Sequence, residues 1–470
     1  MNEAISKTKT PDLRQLETDG VALAAGFFFS FRLFIMLLSV RILGTDPQIG
    51  VEITLALNVL LLVAVAFNSL GSVRFPVSQM AQTPPVRWAV VFLSFSCCSL
   101  LWTSTASLTA AIAYWCAMAA DVAIVVLMLR AGRLTEVANS LMKGYVWGAC
   151  AVAIIAWLLP AQSDLRLGDE ELLGPNAIGY LCAFALFFAQ YLVREKDGKW
   201  GAAVLLLAAT MMRSLSKTTI IAFLAGEVFL MVWDKSVRRR TKVLLALGAT
   251  AMVAAFWNLL SSYYDIYTNA GNQAETLTGR LGLWTYFLAE AVQQPWIGHG
   301  FHSVWKVVPP FGVDQFEARH AHNEVMQQFY AYGFVGICMF AGIYLSVYRH
   351  MRRLAAGRLK TLLFAFLLFV LVRGLTDTEA FDLSLPLWAI VMISLLVEDA
   401  RTATREEADR SSNKPLIGSL SCLSWKWRKR SSVKITERTH EEATETLHAG
   451  REGRHSQEAF GGRSADLGSV

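Results

Sequence analysis

A chain of 470 residues that is 54% hydrophobic and only 17% charged departs from the composition of a soluble domain, in which about a quarter of the residues carry charge. That excludes water as its main solvent, and the modest formal net charge of +6 gives no reason to expect a nucleic-acid partner.

The first twenty residues (MNEAISKTKTPDLRQLETDG) are polar and contain no short apolar run before a small-residue cleavage site. Residues 1–20 are therefore expected to form a cytoplasmic N-terminal segment, and the first apolar stretch a retained anchor. Apolar segments then recur at close to the ~20 residues that a helix needs to cross ~30 Å of hydrocarbon. They predict an all-α polytopic membrane protein with about twelve transmembrane helices, nine within residues 21–260 and three within 323–398. The spans fall at 21–43, 51–69, 86–102, 108–130, 140–159, 174–193, 199–213, 217–233, 242–260, 323–347, 359–376 and 384–398. Arg32 and Asp121 lie near the middle of the first and fourth spans, where an ionised group needs a partner, and are expected to pair. Glu227, in the eighth span, has no partner evident from the sequence. Six of the seven cysteines lie inside apolar segments and Cys422 in the polar tail, so neither a disulfide framework nor a cysteine metal site is expected.

With the N-terminus inside, alternate connections carry Arg74 and Arg87; Arg130, Arg133 and Lys143; Arg194, Lys196 and Lys199; the cations of 235–242; and those of 349–360, as the positive-inside rule requires. All but nine of the 43 Lys and Arg residues then lie inside. The nine are Arg32, Arg41, Arg166, Arg213, Lys217, Arg280, Lys306, Arg319 and Arg373. Each outward cation is either incidental or retained to bind an anion.

The longest outer connection, 261–322, holds Gly279-Arg280, Pro295-Trp296, Gly298-His299-Gly300 and Pro309-Pro310. Its aromatic residues, Tyr263, Tyr264, Tyr267, Trp284, Tyr286 and Trp296 among them, suit a folded catalytic loop near the interface. After Glu398 the chain turns polar, and 399–470 is expected to be a disordered cytoplasmic tail. Within it, residues 424–430 (SWKWRKR) fit either anionic headgroups or water. No internal repeat or inverted symmetry appears, which weakens a transporter reading.

Several polar residues fall on the expected outer face. His320-Ala321-His322-Asn323-Glu324, preceded by Arg319, stands where the long loop meets the tenth span. A histidine there can accept a proton near neutral pH, while Asn323 or Glu324 fixes its ring or bonds a sugar hydroxyl. The same residues also suit a plain helix start, and the two histidines with Glu324 could ligate zinc, although no HExxH motif accompanies them. Arg280 follows a glycine that lets backbone approach a ligand, and its guanidinium can grip phosphate oxygens, or simply face water. Arg213 and Lys217 bracket a short turn of hydroxyl residues before the eighth span, which suits an anion or two snorkelling cations. Arg373, Asp377, Glu379 and Asp382 crowd the last outer connection and read equally well as a self-neutralising network.

Over 174–395 the chain resembles the O-antigen ligase and polymerase family, and within it the bacterial exopolysaccharide polymerases of the succinoglycan type. The resemblance rests on Gly174-Pro175-Asn176, Ser216-Lys217-Thr218, Gly279-Arg280 with Trp284, Pro295 with Gly298 and Gly300, and His320-Ala321-His322-Asn323 followed by Gly333 and Gly336. It implies a GT-C-like helical glycosyltransferase in the bacterial inner membrane with both termini cytoplasmic. Such an enzyme takes a glycan from undecaprenyl pyrophosphate on the periplasmic side and joins it to an acceptor hydroxyl, without metal or cofactor. By the same resemblance Lys217 and Arg280, with Arg213 in support, hold the donor pyrophosphate, and His322 or His320 is catalytic. Asn323, Glu324 and Arg319 would position the acceptor. Implied partners are the lipid-linked oligosaccharide, membrane lipid and other polysaccharide export proteins. Lys217 stands where ligases carry an arginine, and a lysine offers a point charge instead of a bidentate fork; either Arg213 compensates or the enzyme is a polymerase. The two activities share donor and leaving group, and polymerase is the expected one, with ligase its alternative.

Overall fold

The computed structural model describes residues 13–412, apart from 71–75, 161, 163–164, 169–172, 195–197, 236–237, 270–276, 306 and 308–318. Among these residues no strand occurs and helices follow one another. They are α1 (Leu13–Leu37), which runs into a π-helical turn at Leu38–Ile42, α2 (Pro47–Ser69), α3 (Val77–Met80), α4 (Pro84–Ser99), α5 (Leu108–Ala131), α6 (Leu134–Leu158), α7 (Pro175–Arg194) and α8 (Gly201–Arg213). After these come α9 (Lys217–Trp233), α10 (Arg239–Ala255), α11 (Trp257–Asn269), α12 (Leu277–Ala291), α13 (Glu324–Arg352), α14 (Arg358–Gly374) and α15 (Leu387–Ser412). The chain divides into a unit of Met1–Thr404, which holds the helices and the polar clusters, and one of Arg405–Val470, of which only the end of α15 is described.

Among the described residues, six helices are long and apolar enough to cross a membrane: Glu17–Ile42, Gln48–Ser69, Leu108–Ala131, Leu134–Leu158, Pro175–Val193 and Glu324–Arg352. They coincide with the expected first, second, fourth, fifth, sixth and tenth spans. The other six expected spans correspond to α4, α8, α9, α10, α14 and the apolar first half of α15. At 17 residues, α9, α10 and α14 reach ~25 Å, just under the thickness of a hydrocarbon core.

Close helix contact is set by small residues, as expected where lipid tails offer no hydrophobic drive. A side chain at Gly26 of α1 would overlap the Leu141 carbonyl of α6, and one at Gly144 of α6 would overlap the Leu23 carbonyl of α1. An aromatic core of Phe184, Phe187, Phe366, Phe369 and Trp388 binds α7, α14 and α15, with Phe184 and Phe366 meeting edge to face at 4.9 Å. Arg32 and Asp121 pair as expected, at 2.5 Å, and the other Asp121 oxygen accepts from Asn58 of α2 at 2.9 Å. Glu227 also has a partner, Gln190 of α7, whose amide donates to it at 2.5 Å.

Three expectations need correction. The ninth span breaks at Phe256, between α10 and α11, so no continuous helix runs over 242–260. The connection 261–322 is largely helical in its first half: α11 extends to Asn269, and α12 carries Arg280 in its first turn, where Leu277, Arg280, Leu281 and Leu283 favour helix against Gly279 and Gly282. The last helix does not stop at Glu398 but continues to Ser412 through a stretch in which Ala400, Arg401, Ala403, Arg405, Glu406, Glu407, Ala408 and Arg410 are strong helix formers. Residues 413–470, with the SWKWRKR run, lie outside the described residues, as do Lys306, Pro309, Pro310 and the side chains of Tyr263 and Tyr267.

α13 is broken at Gly333, whose φ of 61° and ψ of −153° are not helical. The break leaves backbone groups without intrahelical partners, and the segment before His302 supplies them. Pro295 and Trp296 carbonyls accept from Phe334 N and Val335 N at 2.7 and 3.1 Å, while His299 N and Gly300 N donate to the Tyr330 and Ala331 carbonyls at 3.0 and 2.7 Å. A Cβ on Gly333 would stand 2.5 Å from the Pro295 carbonyl, so only glycine fits. The same segment ties to the α4–α5 connection: Ser99 Oγ accepts from Phe301 N at 3.0 Å, and Ser104 N donates to the His299 carbonyl at 2.9 Å.

Candidate active site

The N-terminus of α13 and the C-terminus of α14 meet at one end of the bundle. Asn323 caps α13 by accepting from Met326 N at 3.0 Å, and its amide donates to the Leu375 carbonyl just past α14 at 2.8 Å. The short segment before it is held on both sides: Trp284 of α12 donates to the Ala321 carbonyl at 2.9 Å, and Gln327 accepts from Ala321 N at 2.8 Å. So fixed, His322 adopts a φ of 50°, a conformation rare for a residue with a side chain, which turns its ring toward the α14–α15 connection.

There His322 Nδ1 lies 3.3 Å from an Asp377 oxygen, and the second Asp377 oxygen accepts from Arg373 at 3.3 Å. Arg373 also pairs with Glu379 at 2.9 Å and lies over the Tyr180 ring of α7 at 3.8 Å. Burial alone would raise the Asp377 carboxyl, but the Arg373 guanidinium and the His322 bond hold it well below the usual carboxylate range. An ionised Asp377 fixes the proton of His322 on Nδ1, so Nε2 carries the lone pair. His320 differs. Its Nδ1 accepts from His322 N at 3.3 Å, and burial, with the neighbouring His322 ring, pushes its pKa down to about 3. Between the two histidines the geometry favours His322 as proton acceptor.

Arg280 reaches the same connection, donating to the Thr376 carbonyl at 2.5 Å. Its buried Nε has no hydrogen-bond partner, and neither do Nε and Nη1 of Arg373. The turn 214–219 is linked to this region through the start of α7. A side chain on Gly179 would touch Ser214 and Ser216, and the next residue, Tyr180, packs on Arg373 and donates to the Ser384 carbonyl. Lys217 opens α9 on the exposed side of that turn. Arg213 donates to the Leu165 carbonyl, and neighbouring Arg166 donates to Asn176 of α7 at 2.9 Å. Arg319 lies 5.5 Å from the centre of the Trp305 ring.

Glu324 points inward. Its carboxylate accepts from Tyr344 at 3.1 Å and from Ser384 N at 2.8 Å, and Gly374 leaves room for it. It is therefore not the third member of a histidine metal site. His320, His322 and Asp377 do offer ligand atoms within 4.8 Å of one another. Two of those groups are already engaged, the carboxylate by Arg373 and His320 Nδ1 by the His322 amide.

The sequence reading did not single out Gln327, which also donates to the Ala380 carbonyl at 3.0 Å and so couples the histidine segment to the last connection. Its signal was available: Glu324, Gln327 and Gln328 put three polar side chains on one face of an otherwise apolar helix. Beside it, Tyr114, His302 and Phe381 form a stack, with the His302 and Phe381 rings 4.8 Å apart and nearly parallel. Burial lowers the pKa of His302 to about 4.

Residues 202–341, which include Lys217, Arg280 and the whole histidine segment, match the Wzy_C family, described as O-antigen ligase. The chain is also similar to Exopolysaccharide production protein ExoQ of Rhizobium meliloti (strain 1021), 24% identical over 301 residues. That match covers 59% of this chain and 66% of the relative, just under two thirds of its length. A helical chain with six helices among its described residues that are long and apolar enough to cross a membrane is thus similar to the O-antigen ligase family over residues 202–341 and to an exopolysaccharide production protein over a longer stretch.

Proposed function

We propose that the protein is a metal-independent polysaccharide polymerase that joins undecaprenyl-pyrophosphate-linked repeat units on the periplasmic face of the inner membrane. In this reading twelve spans leave both termini in the cytoplasm. The observation that carries the proposal is the chain His322–Asp377–Arg373, with Arg280 reaching the adjoining Thr376 carbonyl. Here a proton acceptor and guanidinium donors with unsatisfied N–H groups converge at one end of the bundle.

The acceptor hydroxyl oxygen attacks the anomeric carbon of the donor, and its proton passes to His322 Nε2 as the C–O bond to pyrophosphate breaks. Charge developing on the departing pyrophosphate is met by Arg280 and Lys217, with Arg213 in support. Asn323 and Glu324 position the histidine segment, Arg319 lies at its entrance, and the membrane and other polysaccharide export proteins are its partners. The relative named for exopolysaccharide production favours polymerase, and the family description O-antigen ligase favours the second reading, transfer to a lipid acceptor.

The test supplies purified protein in lipid with an undecaprenyl-pyrophosphate oligosaccharide and follows products by gel and mass spectrometry, with and without a chelator. A ladder of repeat units that survives chelation and is lost in Arg280→Ala and His322→Ala is expected. Single transfer to an added lipid acceptor, with no ladder, would establish the ligase, and loss of product on chelation would restore a metal role to His320, His322 and Asp377.

A further inference from the structure

At the other end of α13, about 25 residues and so ~37 Å of helix from the histidine segment, α4 and α13 leave a groove of about 280 Å³ between them. Its α13 wall is one helical face, Gly342, Leu345, Ser346, Arg349 and Arg353, spaced at three to four residues; its α4 wall is Pro84 and Trp88, one turn apart. The inner part is apolar. Trp88 lies flat on Gly342, where an added Cβ would come within 2.7 Å of the indole, and Leu345 is open to the hydrocarbon. The mouth is cationic, with Arg349 and Arg353 both exposed, and buried His350 beneath them.

No carboxylate is among the residues lining the groove. The nearest ones facing His350 come from α15, where Glu398 stands 3.6 Å from His350 Nε2 but is itself paired with Arg401 at 2.7 Å. α4 opens at the groove with Pro84 and Pro85, which have no backbone N–H, so the cationic character of the mouth comes from the two arginines. An apolar slot ending in two exposed arginines matches one kind of molecule in a bilayer, an acyl chain that ends in a phosphate ester.

We propose that this groove binds an anionic phospholipid, with its phosphate at Arg349 and Arg353 and an acyl chain laid along Trp88, Gly342 and Leu345. The site lies at the Lys- and Arg-rich end of the bundle, away from the histidine segment, and does not depend on the reaction proposed there. Basic residues at the mouth of an interhelical slot are a feature by which membrane proteins select charged lipids.

The test is native mass spectrometry of the full chain in mild detergent, titrated with phosphatidylglycerol or phosphatidylcholine. Binding of phosphatidylglycerol in preference to phosphatidylcholine is expected. With about fivefold per cation, Arg349→Ala with Arg353→Ala should weaken it about 30-fold, while Arg130→Ala, at the same end but outside the groove, should bind as wild type does. Equal binding of the two lipids, or an unaltered affinity in the double variant, would overturn the proposal. So would displacement of phosphatidylglycerol by an equal amount of a polyprenyl phosphate, which would make the occupant a carrier lipid. Independently of any variant, a photoactivatable phosphatidylglycerol should label wild-type peptides spanning 84–88 and 342–353; labelling confined to other helices would also overturn it.

Discussion

Asp377 acts on the acceptor only through His322, and that makes its substitution informative. Asn at this position keeps the shape but loses the charge that places the proton on His322 Nδ1, so polymer formation should fall by about 10²-fold or more while the protein still elutes as a folded species. An activity within a few-fold of wild type would remove the dyad from the mechanism. His320 predicts a different phenotype. Held down to about 3 in the fold, against about 6.5 when exposed, it binds fewer protons folded than unfolded across that window, so it costs stability as pH falls from about 6.5 toward 3. The melting temperature of His320→Gln should therefore drop less than that of wild type between about pH 7 and pH 5, and a parallel drop would contradict the assignment. At this scale the sequence made the His320–Glu324 cluster legible, because two histidines beside an apolar span are conspicuous. The partner was not legible: Asp377 is 55 residues away, and nothing local distinguishes it from Glu379 or Asp382.

Apolar length locates a helix where a span is long and uninterrupted, as for α1, α2, α5, α6 and α7. It was least informative for α13, where hydropathy runs unbroken through Gly333 while the backbone does not. Gly298, Gly300 and Gly333 are visible in the sequence, but their reason is tertiary: two backbone segments exchange hydrogen bonds at distances no side chain allows. Gly333→Ala therefore carries both a positive φ and a clash with the Pro295 carbonyl, and should cost about 1–3 kcal/mol and loosen the segment that precedes His302. A lower melting temperature and a shortened product ladder are expected; an unchanged melting temperature would mean that the break relaxes freely. The pairing of Arg32 with Asp121 makes a second element-scale prediction, since it joins α1 to α5 with Asn58 of α2 in attendance. Asp121→Leu leaves a guanidinium unpaired inside the bundle and should cost about 3–5 kcal/mol, whereas Arg32→Leu with Asp121→Leu should restore most of the loss. If the double variant is no more stable than Asp121→Leu, the pair contributes through something other than its charge.

For the molecule as a whole the decisive question is which end faces out, and the two ends differ in chemistry. One gathers His322, Arg280, Lys217 and Arg373 around the starts of α7, α9 and α13. The other holds the Lys- and Arg-rich connections, including Arg349 and Arg353 around the anionic-lipid groove. Cations are retained on the cytoplasmic side during insertion, so the second end should face the cytoplasm and the first the periplasm. In a chain whose own cysteines have been replaced, Arg319→Cys, beside the histidine segment, should react with a membrane-impermeant maleimide on intact cells with a permeable outer membrane. Arg353→Cys should react only after lysis. The opposite pattern would place the histidine segment in the cytoplasm, where nucleotide-linked sugars are available, and a polymerase fed by a lipid-linked donor from the periplasmic side would then be untenable. Labelling of both positions on intact cells would instead mean that the chain ends its crossings differently from the twelve proposed, with the shorter helices α8, α9 or α10 lying in the interface instead of spanning it.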